Sequence, residues 1–227
     1  MKFTTIKQAE SYIGGLSKTT KMPGYSWDIS AKRCNIGQIL RKKPGTICEK
    51  CYALRGNYLY PSVQNALDRR LEKLNNKYWV EALTFIIRKR NLDFFRMFAS
   101  GDLQNVEHLR KIVQVTNNCA KCKFWLPTKE IGLVNQFIRD GGIISNNLVV
   151  RLSATMIDGS PPAKLARKIG VQVSSVKKDG YNCLAHEQNN ECQDCRKCWD
   201  KTIKVIAYPQ HGAKMQKQNL IQLKEVA

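Results

Sequence analysis

Residues 94–130, FFRMFASGDLQNVEHLRKIVQVTNNCAKCKFWLPTKE, decide the fold class. The first six, 94–99 (FFRMFA), form a short aromatic and apolar run of the kind that strands favour. Ser100-Gly101-Asp102 then breaks the run, and over 105–117 apolar residues return at helical spacing with basic residues on the outer positions. A second strand-like run, 123–127 (KFWLP), follows and ends at Thr128-Lys129-Glu130. Strand, helix and strand joined by short connections make a parallel β/α unit, because parallel neighbours need a crossover long enough to hold a helix.

Working outward, the same alternation continues. Strands are expected at 148–153 (LVVRLS), 170–176 (GVQVSSV) and 204–208 (KVIAY), with an earlier one near 26–30. Helices are expected at 63–74, 78–90, 129–140 and 162–168. About six such units predict an α/β fold, a partial (β/α)6 TIM-like barrel, with a doubly wound open sheet as the alternative. The expected organisation is one domain over 1–227, its barrel core at about 26–180 and a Cys-rich metal-binding segment, 181–200, packed on it. Either topology builds its site on the loops after the strands. Ser100-Gly101-Asp102, Thr128-Lys129-Glu130, Ala154-Thr155 and Lys177-Lys178-Asp179 fall there, although Ser, Thr and Asp also serve as ordinary helix caps.

The chain has 227 residues and is 43% hydrophobic, enough for a sizeable core. It has no apolar run long enough to cross a membrane, and its polar N-terminal segment lacks the apolar stretch of a secretory signal. A cytoplasmic location is expected, the host cytoplasm if the protein is viral. Thirty-eight lysines and arginines against 18 acids give a formal charge of +20. That excess points to a polyanionic partner, nucleic acid, held electrostatically and without sequence preference. The bland alternative is a solvated basic surface, since the charges are spread along the chain and no helix-turn-helix or RNA-binding signature is present. Oligomeric state is not legible.

Nine cysteines stand at 34, 48, 51, 119, 122, 183, 192, 195 and 198. An odd count without a secretory signal argues against a disulfide framework, and Cys-x-x-Cys spacing lets two sulfurs face one metal. The first group is Cys34, Cys48 and Cys51, followed by Tyr52-Ala53 and surrounded by Lys32, Arg33, Arg41, Lys42 and Lys43. Three thiolates can hold three irons of a [4Fe-4S] cubane and leave the fourth open, with Tyr52 as a cofactor-binding shield. The second group packs Cys183, Cys192, Cys195 and Cys198 into sixteen residues. Four thiolates complete a site without outside help, and the Cys-x-x-Cys-x-x-Cys run resembles that of bacterial ferredoxins. Zinc is the alternative for both groups. His186 and His211 are further candidate ligands, and Cys119-x-x-Cys122 is a ligand pair, a redox dithiol or a metal-free structural pair.

The chain resembles the phage gene product 88 family. The residues carrying the resemblance are Cys34 through Cys48-x-x-Cys51-Tyr-Ala-Leu-Arg-Gly-Asn-Tyr, then Phe95-Arg96-x-Phe98-x-Ser100-Gly101-Asp102-Leu103, and Phe124-Trp125-Leu126-Pro127-Thr128-Lys129-Glu130. Val150-Arg151-Leu152-Ser153-Ala154-Thr155-Met156, Asn190-x-Cys192-x-x-Cys195-Arg-x-Cys198-Trp199-Asp200 and Tyr208-Pro-x-His211 complete it. The layout is similar to the radical S-adenosylmethionine (SAM) superfamily, which implies a cluster at a barrel mouth and SAM at its open iron. Thirteen residues separate Cys34 from Cys48, where most of that superfamily has three, and its glycine-rich segment is not evident; Ser100-Gly101-Asp102 stands in its place.

The expectation is therefore a viral iron–sulfur protein of radical-SAM-like fold, a redox or radical enzyme in which Ser100, Asp102, Thr128 and Ser153 face the open iron. Asp102 would orient a cofactor amine or ribose, or else cap the helix beginning near Asn105. The alternatives are a zinc-stabilised nucleic-acid-binding protein and a non-enzymatic iron–sulfur electron carrier or cluster reservoir.

Overall fold

The computed structural model describes residues 2–176 and 180–210. The expectations for Lys177-Lys178-Asp179 and His211 lie outside the described residues.

Among the described residues seven strands form one sheet: β1 (Tyr25–Trp27), β2 (Phe94–Met97), β3 (Lys123–Thr128), β4 (Leu148–Ser153), β5 (Gln172–Val176), β6 (Tyr181–Asn182) and β7 (Val205–Tyr208). Their order is β1-β2-β3-β4-β5-β7-β6, and every strand pair is parallel. The order runs with the chain through β5. Among the described residues it lacks the reversal that gives a doubly wound sheet its crevice, so of that alternative the open parallel sheet holds and the double winding does not. The sheet is open, with β1 at one edge and the two-residue β6 at the other.

Among the described residues seven α-helices accompany the sheet: α1 (Ile6–Ile13), α2 (Asn35–Leu40), α3 (Pro61–Lys73), α4 (Trp79–Lys89), α5 (Val106–Asn118), α6 (Ile131–Arg139) and α7 (Ala163–Lys168). Strand β2 ends two residues before the expected end at Ala99, because Phe98 takes a left-handed φ of 62° and turns the chain out of the sheet. Asn105 lies outside α5 as its cap, its side chain accepting from the His108 N–H at 2.8 Å.

The two faces of the sheet differ in chemistry. One presents Trp27, Phe95, Met97, Phe124, Leu126, Leu148, Val150, Leu152 and Val173 to a core shared with α1, α4, α5, α6 and α7. Each fully buried large apolar side chain there contributes roughly 1.5–3 kcal/mol. The opposite face carries Phe94, Arg96, Trp125, Arg151, Gln172, Ser174 and Tyr208, alternating with the first set as the pleat requires. The Cys-rich segment covers this second face. Trp199 packs edge-on against Phe94 and Trp125 at 5.4 Å each and donates its indole N–H to the Phe95 carbonyl at 2.9 Å.

Candidate metal centres

The segment carrying Cys34, Cys48 and Cys51 lies across the ends of the strands. The Ile47 N–H donates to the Thr155 carbonyl at 2.9 Å, the Ile157 N–H donates to the Gly45 carbonyl at 2.9 Å, and Thr46 pairs with Met156; these contacts fix residues 45–47 beyond β4. Around Cys34 the clamps come from the loops after β2 and β3. Asn35 donates to the Gln104 carbonyl at 3.1 Å, and Gln104 donates to the Arg33 carbonyl at 3.2 Å. The buried Glu130 carboxylate accepts from the Ile36 N–H at 2.9 Å. Cys34 thus sits at the N-terminus of α2 with both sequence neighbours held.

The loops after β1 and β2 are laced together as well. The Ser100 hydroxyl donates to the Ile29 carbonyl at 3.0 Å, and the Ile29 N–H donates to the Ser100 carbonyl at 3.2 Å. Gly101 has a φ of 87°, and a Cβ there would lie 2.3 Å from Ile29 Cγ1, so only glycine fits.

Asp102 is buried, and its carboxylate is already engaged. It accepts from the N–H groups of Leu103 and Lys129 at 2.8 Å each and from the Thr128 hydroxyl. It therefore joins the β2 loop to the β3 loop and does not cap α5, whose cap is Asn105. Three of its roughly four acceptor positions are used. Thr128 also accepts from the Glu130 N–H at 3.0 Å. Ser153 accepts from the Ser174 hydroxyl at 3.3 Å on the second face of the sheet. Tyr52 donates its hydroxyl to the Ala99 carbonyl and meets Tyr58 edge-on at 6.0 Å, which closes one side of the Cys51 surroundings.

The three thiols share one electrostatic environment. Burial pushes Cys34 well above the ordinary thiol range, and the charges of Asp102, Cys51 and Cys48 add to it, with Lys129 opposing. Burial also raises Cys48, against Lys129 and Arg41. Gly37 marks the meeting point: a Cβ there would stand 2.7 Å from Cys34 Cβ, 3.6 Å from Cys34 Sγ and 3.9 Å from Cys48 Sγ.

The second group surrounds a different point, over the second face of the sheet. Burial raises Cys192, with Cys183 and Cys195 adding to the effect. Burial pushes Cys198 up to about 11, opposed by its contact with the Tyr208 hydroxyl at 3.2 Å and by the Arg151 guanidinium. Arg151 is fully buried and holds the segment from beneath. It donates to the carbonyls of Cys198 at 3.3 Å, Ile203 at 2.8 Å, Lys197 at 3.0 Å and Asp200 at 2.9 Å. The Cys192 N–H donates to the Lys21 carbonyl at 2.8 Å, tying the group to the loop before β1. His186 contacts the Cys183 carbonyl through Nδ1 at 3.0 Å and Glu187 through Nε2 at 3.2 Å.

Among the described residues, no three or more His, Cys, Asp or Glu side chains stand close enough together to hold a single metal ion. By the chemistry of its donors alone, each cysteine group could bind a thiolate-preferring metal, which would displace the cysteine protons. Cys34, Cys48 and Cys51 would hold one centre, and Cys183, Cys192, Cys195 and Cys198 the other. Cys119 and Cys122 belong to neither. Both are buried in the helix-side core, and the Asn147 amide reaches the carbonyls of Thr116, Cys119 and Cys122 at 3.0, 3.0 and 2.9 Å.

Gln104 and Arg151 were not among the site residues expected from the sequence, whereas Lys129 and Glu130 were expected only as part of the loop after β3, without a role. Lys129 and Glu130 had a legible signal in their place after a strand. A buried arginine in the middle of an apolar strand was the signal for Arg151.

Among the described residues no helix is long and apolar enough to cross a membrane. No curated protein and no solved structure matches the chain. The family model described as Gene product 88 matches residues 14–201, which include all nine cysteines. The chain belongs to the gene product 88 family.

Proposed function

We propose that the protein is a viral iron–sulfur protein whose sheet is a partial barrel similar to the radical SAM fold, and that it is a redox or radical enzyme. The observation that carries this reading is the position of the first cysteine group. Its three thiols lie beyond the ends of β2 to β4, in one field with Asp102 and Lys129, where parallel β/α sheets build their sites. A [4Fe-4S] cluster held by three thiolates supplies one-electron chemistry at an open iron. The chain's own residues position and shield that iron. Gln104 and Glu130 fix Cys34, Lys129 offsets thiolate charge, and Tyr52 with Tyr58 limits water on one side. SAM is the ligand this reading assigns to the open position.

The surroundings favour a nucleic-acid-related substrate. Residues 31–60 carry seven lysines and arginines and one acid, and Ile39, Leu59 and Tyr60 are more than half exposed beside them. Basic and aromatic groups together bind phosphates and stack on bases.

The test is anaerobic iron and sulfide quantification combined with electron paramagnetic resonance. The intact chain should carry iron and sulfide in equal amounts, and the Cys48→Ala/Cys51→Ala variant should lose a distinct portion of both. Adding SAM to the reduced protein should perturb the signal that this variant lacks. A colourless protein carrying zinc would reject the reading in favour of a zinc-stabilised nucleic-acid-binding protein. An iron-loaded protein indifferent to SAM would make it an electron carrier.

A further inference from the structure

Two buried N–H donors on the second face of the sheet have no hydrogen-bond partner, the Arg96 Nε and the Trp125 Nε1. Such groups are rare in folded proteins, because a buried donor with no acceptor has lost its water without replacement. They are adjacent: Arg96 and Trp125 are in register across β2 and β3, and the guanidinium lies 4.3 Å over the indole ring. Both border the four-cysteine group. Trp125 stacks on Tyr208 at 6.2 Å, and the Tyr208 hydroxyl touches Cys198 Sγ at 3.2 Å. Trp125 also meets Trp199, the residue after Cys198. The Arg96 charge reaches both Cys198 and Tyr208.

Arg151 is not free to act in this way, since its donors are spent on the carbonyls of the loop. The contact of Arg96 Nη1 with the Met22 sulfur at 3.1 Å leaves its Nε donor untouched.

We propose that Arg96 and Trp125 form a donor pair that hydrogen-bonds the thiolate-bound centre of Cys183, Cys192, Cys195 and Cys198 from the sheet side and partly offsets its negative charge. The inference rests on the metal reading above. Four thiolates leave any divalent ion or a resting cubane with net negative charge, and N–H groups directed at such sulfurs stabilise the more negative state. For an iron–sulfur centre this raises the reduction potential. The four-cysteine centre is then a redox centre whose potential the sheet sets, in addition to its structural role. Arg96 and Trp125 are positioning residues, because they act through the sulfurs.

Trp125→Phe keeps the ring and deletes the donor. Arg96→Lys keeps a charge and loses the guanidinium fork. The experiment is a redox titration of the intact, anaerobically reconstituted chain and of each variant, followed by electron paramagnetic resonance, with iron and sulfide measured on the same samples. The expected result is a lower midpoint potential for the four-cysteine centre in both variants at undiminished iron and sulfide, while the signal of the three-cysteine centre stays where it was. An unchanged potential in Trp125→Phe with full iron overturns the proposal. If the chain proves to hold zinc, the iron–sulfur reading fails separately, and the donor pair is decided by chelator competition. Zinc leaving the variants on the order of tenfold faster supports the pair; equal rates overturn it.

Discussion

At the scale of single residues, the second unsatisfied group of note is His108. Its ring is buried among Trp27 at 5.5 Å, Trp79 at 6.2 Å and Phe98 at 5.4 Å, each edge-on, and neither ring nitrogen has a hydrogen-bond partner. Burial, with Lys111 adding to it, lowers His108 to about 3. The imidazole is therefore neutral in the folded protein. Because the folded value is depressed, the group is silent above the unfolded value of about 6.5. Below that, the unfolded chain takes a proton that the folded chain refuses. Stability then falls by up to about 1.4 kcal/mol per pH unit, until the folded value is reached. His108→Phe should remove this component. Urea unfolding of both proteins from about pH 7 to about pH 5 should show the gap widening in the variant's favour. A constant gap would mean that the imidazole takes up a proton inside the core.

At the scale of elements, α2 is set by the site more than by its own propensity. It has six residues, no side-chain cap and no buried side chain, and Gly37 lies in its middle. In an exposed helix Gly→Ala gains up to about 1 kcal/mol. Here the added methyl would press on Cys34 Cβ at 2.7 Å and approach both sulfurs. Gly37→Ala should leave the circular dichroism of the chain unchanged and lower the iron retained by the three-cysteine group. Full iron retention would show that α2 shifts without moving Cys34. The same helix shows why sequence reading ran out where it did. The strands and long helices were legible because burial imposes a period on them, and those from β2 to α7 stand within about two residues of expectation. Helix α2 and the two-residue β6 were not foreseen, since neither is long enough to display a period. The cysteine spacings are visible in the sequence itself. The clamps are not, because Gln104 reaches Arg33 across 71 residues and Glu130 reaches Ile36 across 94, distances over which no local pattern extends.

At the scale of the whole molecule, the +20 charge predicts a hold on nucleic acid without sequence preference. Each phosphate neutralised releases counterions, so affinity should drop about a thousandfold or more between roughly 50 and 200 mM salt if six or more phosphates are engaged. Fluorescence anisotropy with labelled oligonucleotides of unrelated sequence measures this; binding that ignores salt, or its absence at low salt, would reject the prediction. The same charge is spread over a body whose two sides close at different times. The helix-covered side joins neighbours in chain order, so it can condense while the polypeptide is still being made. The opposite side needs contacts between residues far apart in sequence: Trp199 reaches back 104 positions to Phe95, and Arg151 donates to four carbonyls 46 to 52 positions further on. Until they arrive, the Arg151 guanidinium lacks four of its carbonyl partners and keeps the one on Val173. On the metal reading proposed above, thiolate capture of metal in that segment would act as a checkpoint in biogenesis, and a newly made chain starved of metal would stall as a one-sided intermediate, its helical half complete and its other half still wet.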